Sequence, residues 1–306
     1  MKKVSEGMKM FASVMVIFAI YAAIFILFED YDRKYILSFE EASDWHLLIF
    51  SILVMSGLAF LLHRYAKKMD ERIGREQAEK ENRMRRELTQ NISHELKTPV
   101  ASILGYTDTL LDNNNLSDEQ KRQFIERTNS QAKRLTSLLQ DISTLNRIDY
   151  APDLIEMTKT DVADIVTEII SETALSMSKK RMKILNYLPS SIVVNGNFTL
   201  IYSIFRNLFD NSINYAGENT QIELSAYETT RTWNFTFADN GQGMDGKHLT
   251  RIFERFYRVD KGRSRKLGGT GLGLAIVKNA VQLHGGTIIA EKNTPHGLIF
   301  KFSLKK

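Results

Sequence analysis

Two apolar runs near the N-terminus set the first limit on how this chain can fold. Met10 to Phe28 carries no charge, and Trp45 to Leu62 has His46 as its only titratable residue. At the helical rise, the first run reaches about 28 Å, close to the roughly 30 Å apolar core of a bilayer. Segments of this kind cannot sit in water, so the sequence predicts two transmembrane helices, 10–28 and 45–62. A cleaved signal peptide is the competing reading of the first run, but the run exceeds a typical h-region and no clear small-residue cleavage site follows. A buried soluble helix competes for the second, against its length and uncharged interior.

The flanking charges orient these spans. Lys2, Lys3 and Lys9 precede the first, and Arg64, Lys67, Lys68, Arg72 and Arg75 follow the second. The connecting segment, 29–44, holds Arg33 and Lys34 against Glu29, Asp30, Asp32, Glu40, Glu41 and Asp44. The positive-inside rule puts residues 1–9 and the C-terminus in the cytoplasm and the connecting loop outside. That loop is too short to build its own core. The formal net charge of +5 is modest and lies beside the apolar runs and in one late loop, so it suits membrane topology and phosphate handling. No basic stripe with interleaved aromatics supports a direct nucleic-acid surface. With no cysteine, disulfides and thiolate metal sites are excluded.

Residues 63–85 are rich in Lys, Arg, Glu and Gln, without proline, and favour a helical linker. Helical spacing continues through Val100, Ile103, Leu104, Leu110 and Leu111 until the Asp112–Asn115 break. Ser117 and Gln120 then form a capping box for a second helix. Its apolar stripe runs through Phe124, Thr128, Ala132, Leu135, Leu138, Leu139, Ile142, Leu145 and Ile148. Two helices cannot bury such stripes alone. Pairing two hairpins into a four-helix bundle does, which predicts a symmetric homodimer.

The first of those helices carries Ser93-His94-Glu95-Leu96-Lys97-Thr98-Pro99. A neutral imidazole is a competent nucleophile near pH 7. Glu95 is placed to hydrogen-bond the other ring nitrogen and to take its proton. Thr98 lies one turn on, on the face of His94, where its hydroxyl can position water for the hydrolytic reaction. Pro99 removes the intrahelical partner of the Glu95 carbonyl, which permits a bend. A zinc site of the His-Glu-x-x-His type fails because its fifth position is Thr98.

After Tyr150-Ala151-Pro152 the pattern becomes mixed α/β. Helices are expected over Ile165–Leu175 and Phe198–Tyr215, with strands over Lys183–Leu188, Ile192–Val194, Gln221–Tyr227 and Thr232–Ala238. Asn207 and Asn211 share one helical face and can offer amide oxygens to Mg²⁺. Asp239 ends a strand, where a carboxylate can accept from an adenine amino group; Gly241 and Gly243 follow it. Gly269-Thr270-Gly271-Leu272-Gly273 opens a helix whose free N–H groups suit phosphate. Leu272, Ala275, Ile276, Ala280 and Leu283 are expected to be that helix's buried face. Neither a P-loop nor a Ser/Thr/Tyr kinase signature is present.

With Phe253-Glu254-Arg255-Phe256-Tyr257-Arg258 added, these motifs resemble, in order, the membrane sensor histidine kinases of bacterial two-component systems, most like the phosphate-regulon and vancomycin-type sensors. The resemblance covers nearly all of 86–306. It implies a dimerising phosphotransfer hairpin over 86–150 and a two-layer α/β sandwich of gyrase/Hsp90 (Bergerat) type over 151–306. It implies ATP-dependent phosphorylation of His94 and transfer to an aspartate of a response regulator. It further implies Glu95 as kinase base, Thr98 for phosphatase activity, and Mg²⁺ on Asn211 with support from Asn207. Asp239 is then the adenine contact, Tyr215 packs the ring, and Phe253, Phe256 and Arg258 anchor a lid. The implied location is the bacterial inner membrane, in contact with lipid. Asn214 departs from the lysine the family often has there; Arg258, Lys261, Arg263, Arg265 or Lys266 can compensate. Two other classes compete: a scaffold that binds ATP without transferring it, which only Asn214 supports, and a gyrase/Hsp90-like ATPase, which usually needs a glutamate where Asn207 stands.

Overall fold

The structure, a computed structural model, describes residues 20, 23, 26, 27, 42–113, 115–259 and 269–306. The expected first span, most of the outer loop, and the late basic residues Lys261, Arg263, Arg265 and Lys266 lie outside them. Helix α1 covers Ala42–Asp112, and a boundary between two units, Met1–Arg86 and Glu87–Lys306, falls within it.

In the first unit, α1 begins three residues before the expected second span. Side chains there are described at residues 49, 51–79, 82, 83 and 86. Among the residues so described, no helix is long and apolar enough to cross a membrane. Ile49, Ile52, Leu53, Met55 and Phe60 are nonetheless exposed.

The second unit opens with the rest of α1 and continues into α2, Asp118–Tyr150. Ser117 caps α2 as its sequence predicts: its hydroxyl accepts from the Gln120 N–H, and the Gln120 side chain accepts from the Ser117 N–H. Pro99 sits inside α1 without ending it. Val100, Leu104, Leu111, Ile125 and Leu139 of the hairpin remain exposed in the single chain.

Beyond a short 3₁₀ turn at Pro152–Leu154 come β1 (Thr158–Asp161), α3 (Val162–Lys179), β2 (Lys183–Tyr187), β3 (Val193–Gly196) and α4 (Phe198–Tyr215). Then follow β4 (Gln221–Glu228), β5 (Thr232–Asp239), the short α5 (Gly246–Leu249), α6 (Gly273–Leu283), β6 (Ile288–Lys292) and β7 (Leu298–Lys305). α3 is longer than the apolar pattern predicts, because Asp161 caps it early by accepting from the Ala163 N–H and its last turn is polar.

One sheet has the order β2-β4-β5-β7-β6, parallel only between β2 and β4; β1 and β3 pair separately. Alternation sends Ile222 and Leu224, Phe235 and Phe237, and Leu298, Phe300, Phe302 and Leu304 to one face. The helices cover that face. Phe205 of α4 meets Phe235 and Phe302 edge-on at 5.6 and 5.5 Å, and Phe209 meets Phe237 at 5.3 Å. Each such fully buried ring contributes on the order of 2–3 kcal/mol. Ile148, near the end of α2, also belongs to this core.

Candidate functional site

Three turns of local structure place the predicted residues. α4 starts where Asn197 accepts from the Leu200 N–H, as its capping chemistry requires. From there, helical spacing buries Leu208 and Phe209 and turns Asn207 and Asn211 away from the core. The Asn207 amide nitrogen donates to the Ser203 carbonyl at 2.7 Å, so its Oδ1 stays free. That oxygen points at the start of α6: a Cβ added to Gly273 would lie 2.3 Å from it. Only glycine permits this approach. Among the described residues there is no group of three or more His, Cys, Asp or Glu able to hold a metal. A hard cation here would rely on amide oxygens such as these together with ligand oxygens, which suits Mg²⁺.

Asp239, at the end of β5, is 4% exposed. Its Oδ2 accepts from the Ser212 hydroxyl at 2.8 Å, and its Oδ1 accepts from the Gly241 and Leu298 N–H groups at 3.0 and 3.3 Å. Gly241 packs against Ala216, and the Gln242 amide donates to the Tyr215 carbonyl. Tyr215, Asp239 and Gly241 are thus gathered around the end of α4, while Gly243 packs on the backbone of Gly297. Ser212 was not among the sequence candidates, yet it carried a signal: it is the one polar residue on the buried face of α4.

Phe253 packs against the domain core, meeting Phe300 at 6.4 Å. Phe256 holds a left-handed backbone, φ +61°, unusual for an aromatic residue. Its N–H donates to the Gly271 carbonyl at 2.8 Å, tying the Phe253–Arg258 motif to the glycine loop. Gly271 has φ +75°, and a Cβ there would meet Phe256 and the Arg258 Nε at about 3.1 Å.

On the hairpin, the His94 side chain is 66% exposed. It borders an open hollow of about 470 Å³ with Lys97, Thr98, Ala101 and Ser102. Thr98 donates its hydroxyl hydrogen to the His94 carbonyl at 3.3 Å, which leaves oxygen lone pairs toward the hollow. Glu95 makes no hydrogen bond to the His94 ring in this arrangement. Its Oε1 lies 4.0 Å from the His94 Nδ1, beyond hydrogen-bond reach. Its Oε2 is taken instead by Arg258 at 3.0 Å and Arg134 at 3.4 Å. Two guanidinium groups hold the carboxylate in charge-assisted hydrogen bonds.

The glycine loop also meets the hairpin. Thr270 donates to Asp141 of α2 at 2.8 Å, and Arg255 grips Asp149 at 2.7 and 2.8 Å. Burial pushes the Asp141 carboxyl up from its ordinary value, with the Thr270 hydroxyl acting against that rise. Leu272 and Ile276 were expected in one face with Ala280. They turn instead to Leu138 and Leu145 of α2, while Val277, Ala280 and Val281 fill the domain core. α6 is buried on two sides, which a single-stripe pattern does not describe.

Residues 84–151 match the family described as the His Kinase A (phospho-acceptor) domain, and 196–306 match the histidine kinase-, DNA gyrase B- and HSP90-like ATPase family. The sensor-like histidine kinase SenX3 of Mycobacterium bovis is 35% identical over 220 residues, which is 72% of this chain and 53% of that protein. The chain thus spans about half the length of that relative. Acinetobacter baumannii histidine kinase AdeS has a similar fold, with TM-score 0.58 and 21% identity over 69% of this chain and 97% of that one. Histidine kinase ThkA, solved in complex with response regulator protein TrrA, also has TM-score 0.58, with 20% identity over 72% of this chain and 61% of that one. With both domain families in series and these relatives alongside, the chain belongs to the sensor histidine kinases.

Proposed function

We propose that this chain is a membrane-bound, dimeric protein-histidine kinase that phosphorylates His94 from ATP and passes the phosphoryl group to an aspartate of a response regulator. The observation that carries this reading is the exposed His94 imidazole beside an open hollow, on the same unit as the Asp239 and glycine-loop cradle. Asp239, Gly241, Gly243 and Tyr215 hold adenine, the 269–273 loop holds the phosphates with its backbone N–H groups, and Phe253, Phe256 and Arg258 anchor the lid over them. Asn211 and Asn207 would hold Mg²⁺ through their amide oxygens, and the ion would supply charge neutralisation. In transfer, the His94 Nε2 forms a bond to the γ-phosphorus while the bond from phosphorus to the ADP oxygen breaks. The Nδ1 proton passes to Glu95, which must first leave its arginine partners. Rate comes from positioning and charge neutralisation.

Thr98 serves the reverse direction, its free lone pairs accepting from a water aimed at the phosphorylated regulator. ThkA was captured with a regulator, and its likeness to this fold supports the same class of partner here. The exposed apolar side chains of the hairpin support a homodimeric four-helix bundle. The exposed Ile52, Leu53, Met55 and Phe60, with the uncharged first run and its lysine and arginine flanks, support two spans in the inner membrane with both ends cytoplasmic.

The test is incubation of the full chain with γ-labelled ATP and magnesium. Acid-labile label that disappears in His94→Gln supports the assignment. Acid-stable label, or label retained in His94→Gln, refutes it.

A further inference from the structure

The polar pairs between the hairpin and the nucleotide domain share one polarity. Arg258 donates to Glu95, Thr270 to Asp141, and Arg255 and Asn279 to Asp149. In each, the acceptor is a carboxylate of α1 or α2 and the donor belongs to the nucleotide domain. Thr270 lies within the glycine loop at the N-terminus of α6, and Arg258 packs beside Gly271 of that loop. Donors that take carboxylate oxygens there are the donors that phosphate oxygens would take. One carboxylate cannot be exchanged for another ligand while it is held in place by packing. Leu138 and Leu145 hold this one, seated against Leu272 and Ile276, with Leu96, Ile142 and Phe256 at the edges.

We propose that the hairpin silences its own nucleotide site by carboxylate mimicry: Glu95 and Asp141 occupy Arg258 and Thr270, so that the docked hairpin and a bound nucleoside triphosphate exclude each other. This rests on the ATP-binding reading above and adds its regulation. Two features make the contact reversible. Asp141 is half-buried, accepts from the Thr270 hydroxyl and, among the described residues, makes no ion pair, so docking leaves its charge poorly compensated. Arg258 is 6% exposed, and its Nε has no hydrogen-bond partner, so the docked arrangement leaves unused a donor that a triphosphate can take. Triphosphate binding releases Glu95 as it takes Arg258. The base is thereby freed only when its substrate is present. A ligand that binds the undocked state alone shifts the population toward it, and the docked fraction lowers the apparent affinity in proportion.

The test uses the absence of native cysteine. In the full-length chain, Asp149→Cys with Asn279→Cys places two thiols across the docked interface. Oxidation should form an intrachain cross-link, ATP should suppress it, and AMP, which lacks the distal phosphates, should not. The cross-linked protein should bind ATP at least about ten-fold more weakly than the reduced protein, with AMP affinity changed less than about two-fold. Leu138→Asp, which breaks the apolar seat without touching the nucleotide groups, should tighten ATP and leave AMP unchanged. Failure of the cross-link to form, a cross-link indifferent to ATP, or equal ATP affinity in the oxidised and reduced forms overturns the proposal. If reduced protein still labels His94 in those cases, only the mimicry falls. If it binds neither nucleotide, the ATP-binding reading falls with it.

Discussion

Ser212→Ala isolates the hydrogen bond that holds the Asp239 carboxylate. The serine is 1% exposed and the aspartate 4%, so water cannot replace the lost hydroxyl. Alanine keeps the Cβ and adds no bulk, so the packing cost is small. What is removed is one of three donors to Asp239, at 2.8 Å, while the N–H groups of Gly241 and Leu298 remain. A hydrogen bond to a charged group contributes about 1.5–3 kcal/mol. For a domain of this size, each kcal/mol moves the melting temperature by about 2–4 °C, so Ser212→Ala should lower it by roughly 3–12 °C. Calorimetry on the full chain measures this, with circular dichroism confirming unchanged secondary structure. A double-mutant cycle with Asp239→Asn should show a coupling of at least about 1 kcal/mol, since the two residues share one bond. A melting temperature that stays put, or strictly additive effects in the cycle, would refute the claim that Ser212 acts through Asp239.

Gly273→Ala should abolish tight Mg-ATP binding with little loss of folded protein, because the new methyl displaces the Asn207 oxygen, 2.3 Å away; unchanged affinity by calorimetric titration contradicts the geometry. Glu95→Gln should still bind ATP but label His94 about a hundred-fold more slowly, the usual worth of a general base; equal rates remove Glu95 from the chemistry. His284 makes stability depend on pH. Its Nε2 accepts from the Asn197 N–H at 3.0 Å, so Nδ1 carries the proton toward the Ala280 carbonyl at 2.7 Å and the ring is neutral. Burial holds its pKa below the ordinary value, with the Ala280 bond opposing. The unfolded chain therefore takes up the proton first, and stability present above about pH 6.5 is lost as the pH falls below it. Urea melts at pH 7.5 and 5.5 should show that loss, and His284→Asn should flatten it; parallel curves for both proteins count against it.

Local signals survive folding where one residue type has one solution. Asn197 and the apolar spacing after it define α4 as Phe198–Tyr215, the range the sequence predicts, and the capping box at Ser117 does the same for α2. The alternation in Leu298–Lys305 marks β7 in the same way. Long-range choices leave no such trace. Nothing near Glu95 announces Arg134 or Arg258, and the sequence assigns it to the histidine beside it. Leu272 and Ile276 look like any core residues of a helix until the hairpin arrives on their side. The expectation of two membrane spans rests on composition alone.

Ile148 sits in the core of the ATP-binding fold although it belongs to the second hairpin helix. Any swing of that fold toward the phosphoacceptor therefore cannot pivot at Ala151-Pro152, where the chain visibly changes character. The final turn must travel with the moving body, and the joint lies upstream, inside a continuous rod. A truncated protein that starts after Tyr150 would lack one of its own keystones, whereas one that begins a turn or two earlier would keep it.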